Sequence, residues 1–223
     1  MMAVPDAAKV RLLLAHGADA KARTASGRDA LTIAAAYRDS ADALKALLAA
    51  GAEARVPQEI RMRASPLVLA SMTGDLANIE LLLATGADPS AAAGANTPLT
   101  AALTFGYTDA ARTLIAAGAS AHITESTGIN LLHWAAITNR PAVVPLLVEA
   151  GVPLDAADEN GFTPLMYAAT IDFGDTNVLE ELLRAGADAG IQNSEGRTPL
   201  EQARYYGHLR LEATLQKYAR RIR

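Results

Sequence analysis

Apolar residues fall along this 223-residue chain in short bursts. Each burst holds a leucine pair or its near equivalent: Leu13-Leu14, Leu47-Leu48, Leu82-Leu83, Leu114-Ile115, Leu146-Leu147 and Leu182-Leu183. A glycine follows each pair, at Gly17, Gly51, Gly86, Gly118, Gly151 and Gly186, with spacings of 34, 35, 32, 33 and 35 residues. A second string runs out of phase with the first: Ser65-Pro66-Leu67, Thr97-Pro98-Leu99, Thr163-Pro164-Leu165 and Thr198-Pro199-Leu200, with weaker copies at Asp29-Ala30-Leu31 and Asn130-Leu131-Leu132. Two strings locked to one period are an internal repeat, and the repeat governs every later reading.

Each string predicts an element. The Thr, Ser, Asp or Asn caps the free N–H groups of a helix whose first position is often Pro. Small pairs such as Ala135-Ala136 and Ala168-Ala169 let neighbouring helices approach closely. A second helix carries the leucines on its buried side, as Val143, Leu146 and Leu147 do. The glycine takes the left-handed position that ends it. A polar stretch such as Asp155–Gly161 then makes a turn. One unit is therefore helix, loop, helix, turn. Two short helices cannot bury their own apolar faces, whereas stacked copies can, so the pattern predicts an all-α solenoid.

The motifs carry a family resemblance. Gly161-Phe-Thr-Pro-Leu-Met-Tyr-Ala-Ala169, Gly196-Arg-Thr-Pro-Leu200, Leu132-His-Trp-Ala-Ala136 and Arg184-Ala-Gly-Ala-Asp188 resemble the motifs of ankyrin repeats. The resemblance covers roughly residues 3 to 220, so 1–223 is expected to be one ankyrin-repeat domain. Phasing gives a partial repeat over 1–23, full repeats near 24–55, 56–92, 93–124, 125–157 and 158–192, and a last one over 193–223. The segment Val56–Arg63 is expected to be an enlarged basic turn, and Ala95 stands where a hairpin glycine is usual. Asp172-Phe173 looks like a two-residue insertion between the helices of its unit.

Composition narrows the function. Alanine supplies 50 of the 223 residues and aromatics only 4%. Without cysteine there is no disulfide scaffold, thiol chemistry or Cys-based zinc site, and the compartment stays open. No apolar run reaches the roughly 18 residues of a membrane span. The net charge of −4 argues against nucleic-acid binding through a broad basic field. The charge is uneven, however: residues from Arg197 onward carry +5 and the rest −9, so the last unit is expected to be a basic, solvated cap.

Candidate chemistry is sparse. His16, His122, His133 and His208 fall at different phases, with no metal-ligand spacing. The resemblance places His133 where ankyrin repeats use a histidine to tie adjacent turns, and His208 in a structural slot of the inter-helix loop. Asp155, Asp158 and Glu159 read as a solvated turn tip, and Trp134 reads as core. Neither a nucleophile elbow nor a phosphate loop is present. No catalytic residue, metal site or cofactor is therefore assigned, and the chain is expected not to be an enzyme.

What the resemblance implies instead is a scaffold that binds a protein partner on the concave face. Its contact residues by phase are Tyr37 and Arg38, Met72 and Thr73, Thr104 and Phe105, Ile137 and Thr138, Thr170 and Ile171, and Tyr205 and Tyr206. They form a ladder expected to line one groove; the alternative is that some pack against the next unit. A second functional reading is a regulatory or sensing module of a larger protein. The first unit predicts a fragment or an internal start, because the phase places Met1–Val4 inside a first helix that lacks its cap. The chain is expected to be monomeric unless that N-terminal face self-associates.

Overall fold

The architecture was obtained as a computed structural model, which describes residues 5–25, 27–55, 65–93 and 96–219. The expectations on Met1–Val4, Val56–Arg63, Ala95 and the last four residues lie outside the described residues. Among those described, the chain holds α-helices, one short 3-10 turn and three isolated β-bridges. This is the all-α repeat architecture that the periodicity predicts.

The chain divides into two compact units, 1–120 and 121–223. The first holds α1 (Ala7–Ala15), α2 (Ala30–Ala35), α3 (Ala41–Ala49), α4 (Pro66–Thr73), α5 (Leu76–Ala84), α6 (Pro98–Thr104) and α7 (Thr108–Ala116). They make two rows. The helices that open each repeat stack as α2, α4, α6, and the leucine-bearing helices as α1, α3, α5, α7. The second unit repeats the scheme. Its inner row is α8 (Leu131–Ile137), α10 (Pro164–Thr170) and α12 (Pro199–Tyr205). Its outer row is the 3-10 turn Pro141–Val143 with α9 (Val144–Glu149), then α11 (Asn177–Arg184) and α13 (Leu209–Ala219).

Inner helices start as their caps dictate. The side chains of Asp29, Thr97, Asn130, Thr163 and Thr198 accept backbone N–H bonds from the first turn. Ser65 departs from this expectation: its side chain makes no capping bond. There α4 enters through Pro66 at its first position and through the Leu69 N–H to Ser65 carbonyl bond of 3.0 Å.

Outer helices end alike. The residue after each recurring glycine donates its N–H to the carbonyl of the leucine four residues before that glycine, as in Ala52 to Leu47 at 3.0 Å and Val152 to Leu147 at 3.0 Å. This closure needs a left-handed residue, and the glycines adopt φ of +80° to +97°. The same leucine is the centre of the core: Leu47, Leu82, Leu114, Leu147 and Leu182 are 0–3% exposed. The inter-helix loop of 171–176 is longer than that of 105–107, as the Asp172-Phe173 insertion predicts.

Glycines outside this series answer to a different constraint. A Cβ on Gly161 would lie 2.9 Å from the Ser194 N and 3.0 Å from the Asn193 Cα, because the turn tips of successive repeats touch there. A Cβ on Gly186 would meet nothing within 4 Å. Both have positive φ, so Gly186→Ala is expected to cost about 1–2 kcal/mol of strain alone, and Gly161→Ala measurably more. Urea denaturation of the two variants checks the ordering.

Candidate functional site

An inner helix of seven residues shows two sides. Counting from the cap, positions two, five and six face the outer row, as Leu132, Ala135 and Ala136 do, at 0–3% exposure. Positions four, seven and eight share the opposite side by helical geometry. That side carries the sequence-expected contact residues, and none of the twelve is fully buried.

In the first unit Met72, Thr104 and Phe105 are exposed and Thr73 is half-buried. Tyr37 and Arg38 stand one position late: seven and eight residues after the Asp29 cap are Ala36 and Tyr37. Tyr37 is half-buried, and its carbonyl accepts from the Asn78 side-chain amide at 2.9 Å. The Arg38 guanidinium lies 5.7 Å from the Tyr107 ring centre, and Tyr107 stacks on Phe105 at 6.4 Å. In the second unit Tyr205 is 63% exposed with the Arg197 guanidinium 3.8 Å over its ring, and Tyr206 meets Tyr205 edge-on at 5.0 Å. Ile137, Thr170 and Ile171 are half-buried and Thr138 is exposed.

Two apolar residues on this side were not expected there. Trp134 is 46% exposed, not core, and its indole N–H donates to the Glu125 carboxylate at 3.0 Å. It occupies position four, a slot in which Ala101 and Gln202 are buried and Ile33 and Trp134 are exposed. Ile33 sits at position four of α2 and is also exposed. The signal available in the sequence was the spacing of four and three residues that joins Trp134 to Thr138 and Ile137.

Asp158 also departs from expectation. It is buried, and its carboxylate accepts from the Asn160 N–H at 2.9 Å, the Phe162 N–H at 2.8 Å and the Tyr167 hydroxyl at 2.7 Å. It organises the turn, while Asp155 and Glu159 stay exposed. Burial first, then the Asp158 carboxylate, pushes the Tyr167 hydroxyl up to about 12.

His133 ties adjacent turns, as its slot implies. Its Nδ1 accepts from the Asn130 N–H at 3.1 Å and its Nε2–H donates to the Phe162 carbonyl at 3.0 Å. His208 plays a like part, with Nε2 2.9 Å from the Thr170 carbonyl. These bonds give both histidines structural roles.

The family model for ankyrin repeats (3 copies) matches residues 35–125 and 99–188, together well over half of the chain. The chain belongs to the ankyrin-repeat family. Ankyrin repeat and SOCS box protein 16 of Homo sapiens is 33% identical over 203 residues, covering 86% of this chain and 44% of that protein. SH3 and multiple ankyrin repeat domains protein 1 of Mus musculus is 34% identical over 130 residues, covering 57% of this chain and 6% of that protein. Putative palmitoyltransferase ZDHHC13 of Danio rerio is 32% identical over 113 residues, covering 50% of this chain and 17% of that protein. The chain thus spans less than half the length of each of these relatives. Ankyrin repeats are a protein-interaction module and are generally non-catalytic. No described helix is long and apolar enough to cross a membrane.

Burial holds the His133 imidazole below its ordinary value of 6.5, against the weaker opposite pull of the Phe162 carbonyl and Asp158. The unfolded chain therefore takes up a proton near pH 6.5 that the folded chain refuses. Stability is expected to be intact above that pH and to fall as the pH drops below it. Met166 fills the equivalent slot of the next repeat, fully buried. His133→Met should flatten the pH dependence between roughly 7.5 and 5.5, measured as unfolding free energy in denaturant.

Proposed function

We propose that this ankyrin stack recognises a protein partner through the exposed side of its inner helices, the concave side of such a stack. The observation that carries the reading is a regular one. At positions whose neighbours on the same helix are fully buried, the chain leaves Met72, Phe105, Trp134, Tyr205 and Tyr206 in solvent. Burying large apolar side chains is the main source of association free energy, and aromatic residues dominate interface hot spots. Arg197 stacked on Tyr205 fixes that ring in place before any partner arrives, which lowers the entropy lost on binding. A regulatory module within a larger protein is the second reading, supported by the greater length of the relatives.

A photo-crosslinking residue in place of Tyr205 is expected to capture a defined partner, whereas one in place of Ala213, exposed on the outer helix α13, is not. Trp134→Ala and Tyr205→Ala should each weaken the purified complex by about tenfold or more, at unchanged melting temperature. Equal capture from Ala213, or affinity unmoved by both variants, would sink the concave-side reading.

A further inference from the structure

The negative charge of this chain is gathered in one stretch. Residues 1–120 hold eleven acidic and eleven basic side chains, whereas residues 121–196 hold eleven acidic ones against only Arg140 and Arg184. Among those acids Glu125, Asp155, Glu159 and Asp188 stand exposed in the turns between repeats of the second unit. None of these four forms an ion pair among the described residues, while Glu180, Glu181, Glu195 and Glu212 are each paired with an arginine. Successive turns are tied to one another. The Glu159 N–H donates to the Thr127 carbonyl at 2.9 Å, and the Asp188 N–H to the Asp155 carboxylate at 3.0 Å. The fold thus holds like charges near one another, which favours a cation that comes between them.

An acidic edge alone is solvated and selects nothing. What singles this one out is the ring beside it. Trp134, 46% exposed, donates its indole N–H to the Glu125 carboxylate at 3.0 Å. The next inner helix, α10, packs on α8 and repeats the pairing at the same nine-residue spacing: the Tyr167 hydroxyl donates to Asp158 at 2.7 Å. Asp158 is buried and Glu125 is exposed, so the Trp134 pair is the open one.

The last repeat shows what a ring and a turn carboxylate hold between them. The Arg197 guanidinium lies 3.8 Å from the Tyr205 ring centre and donates to the Glu195 carboxylate at 2.8 Å. Stacking and the ion pair act on one cation at once. We infer that the protein partner supplies the corresponding cation at Trp134: it presents a segment bearing several arginines, one guanidinium lying over the indole and paired with Glu125, the others meeting Glu159, Asp155 and Asp188 along the turns. This rests on the inner-side reading above and adds the chemistry of the partner. Arginine fits better than lysine, because a planar and weakly hydrated guanidinium stacks on a ring while its edge meets a carboxylate. Attraction between exposed charges also speeds encounter and is screened by salt.

Trp134 is the single tryptophan of the chain and serves as the reporter. The whole chain is titrated at low salt with a short synthetic peptide of alternating arginine and glycine, and with counterparts carrying lysine or glutamate in place of arginine. The arginine peptide is expected to change the indole emission saturably, the lysine peptide to bind several-fold more weakly, and the glutamate peptide not to bind. Glu125→Gln keeps an acceptor for the indole N–H and should weaken the arginine peptide about threefold; Glu125→Gln with Glu159→Gln should weaken it about tenfold. Glu149→Gln removes the same charge from an exposed site of α9 in the outer row and should leave binding unchanged. Binding without a change in emission, equal losses from Glu149→Gln and Glu125→Gln, or peptides of either sign bound alike would each overturn the inference. Emission that shifts with protein concentration alone would assign the acidic edge to a second copy of this chain and overturn it too. Where a crosslinker at Tyr205 captures a partner and no basic peptide binds, the inner-side contact stands and this inference alone falls.

Discussion

Burial of one leucine per repeat under the neighbouring helices is the interaction on which the fold rests. A helix of six to nine residues is unstable by itself in water, since the cost of its first turn is not recovered over so short a length. What stabilises it is the apolar surface removed from water when Leu47, Leu82, Leu114, Leu147 and Leu182 go under, on the order of 2 kcal/mol for each side chain. Capping and glycine closure do not supply that free energy. They hold each helix to a length and an angle at which its leucine meets the next repeat.

Alanine is the other half of the same constraint. Ala34, Ala35, Ala70, Ala102, Ala135, Ala136, Ala168 and Ala169 are nearly inaccessible to solvent, on the side of the inner helices that faces the outer row. A larger residue there would force the rows apart and strip the leucines of their neighbours. The composition, rich in alanine and poor in aromatics, follows from helices that lie close together. It also explains why the few aromatic side chains that exist sit largely outside the core.

The sequence made the repeat legible because leucine and glycine have the same job in the copies from Leu47 to Gly186. What it did not reveal were outcomes set by a neighbouring repeat. Asp158 looks like one more exposed carboxylate, and only the folded turn brings the Asn160 and Phe162 amides and the Tyr167 hydroxyl around it. Trp134 fills a slot that is buried when it holds Ala101 or Gln202 and half-exposed when it holds an indole too large for that space. Ser65 has the right identity for a cap without the bond. The phase of the exposed positions was legible to within one residue at Tyr37. Positions were counted from the helix end, and position four, where Ile33 and Trp134 are exposed, was left out.

The two-row stacking has a consequence for how such a chain can change length. Within each unit a helix meets its own partner and the corresponding helices one period away. Removing or duplicating one whole period would rejoin surfaces that closely fit, because the copies from Leu47 to Leu182 present the same buried leucine and the same glycine closure. Removing half a period would bring an inner helix into the outer row and misplace them all. Gene rearrangement can thus lengthen or shorten the stack in steps of about 34 residues, while smaller changes are confined to loops such as 171–176.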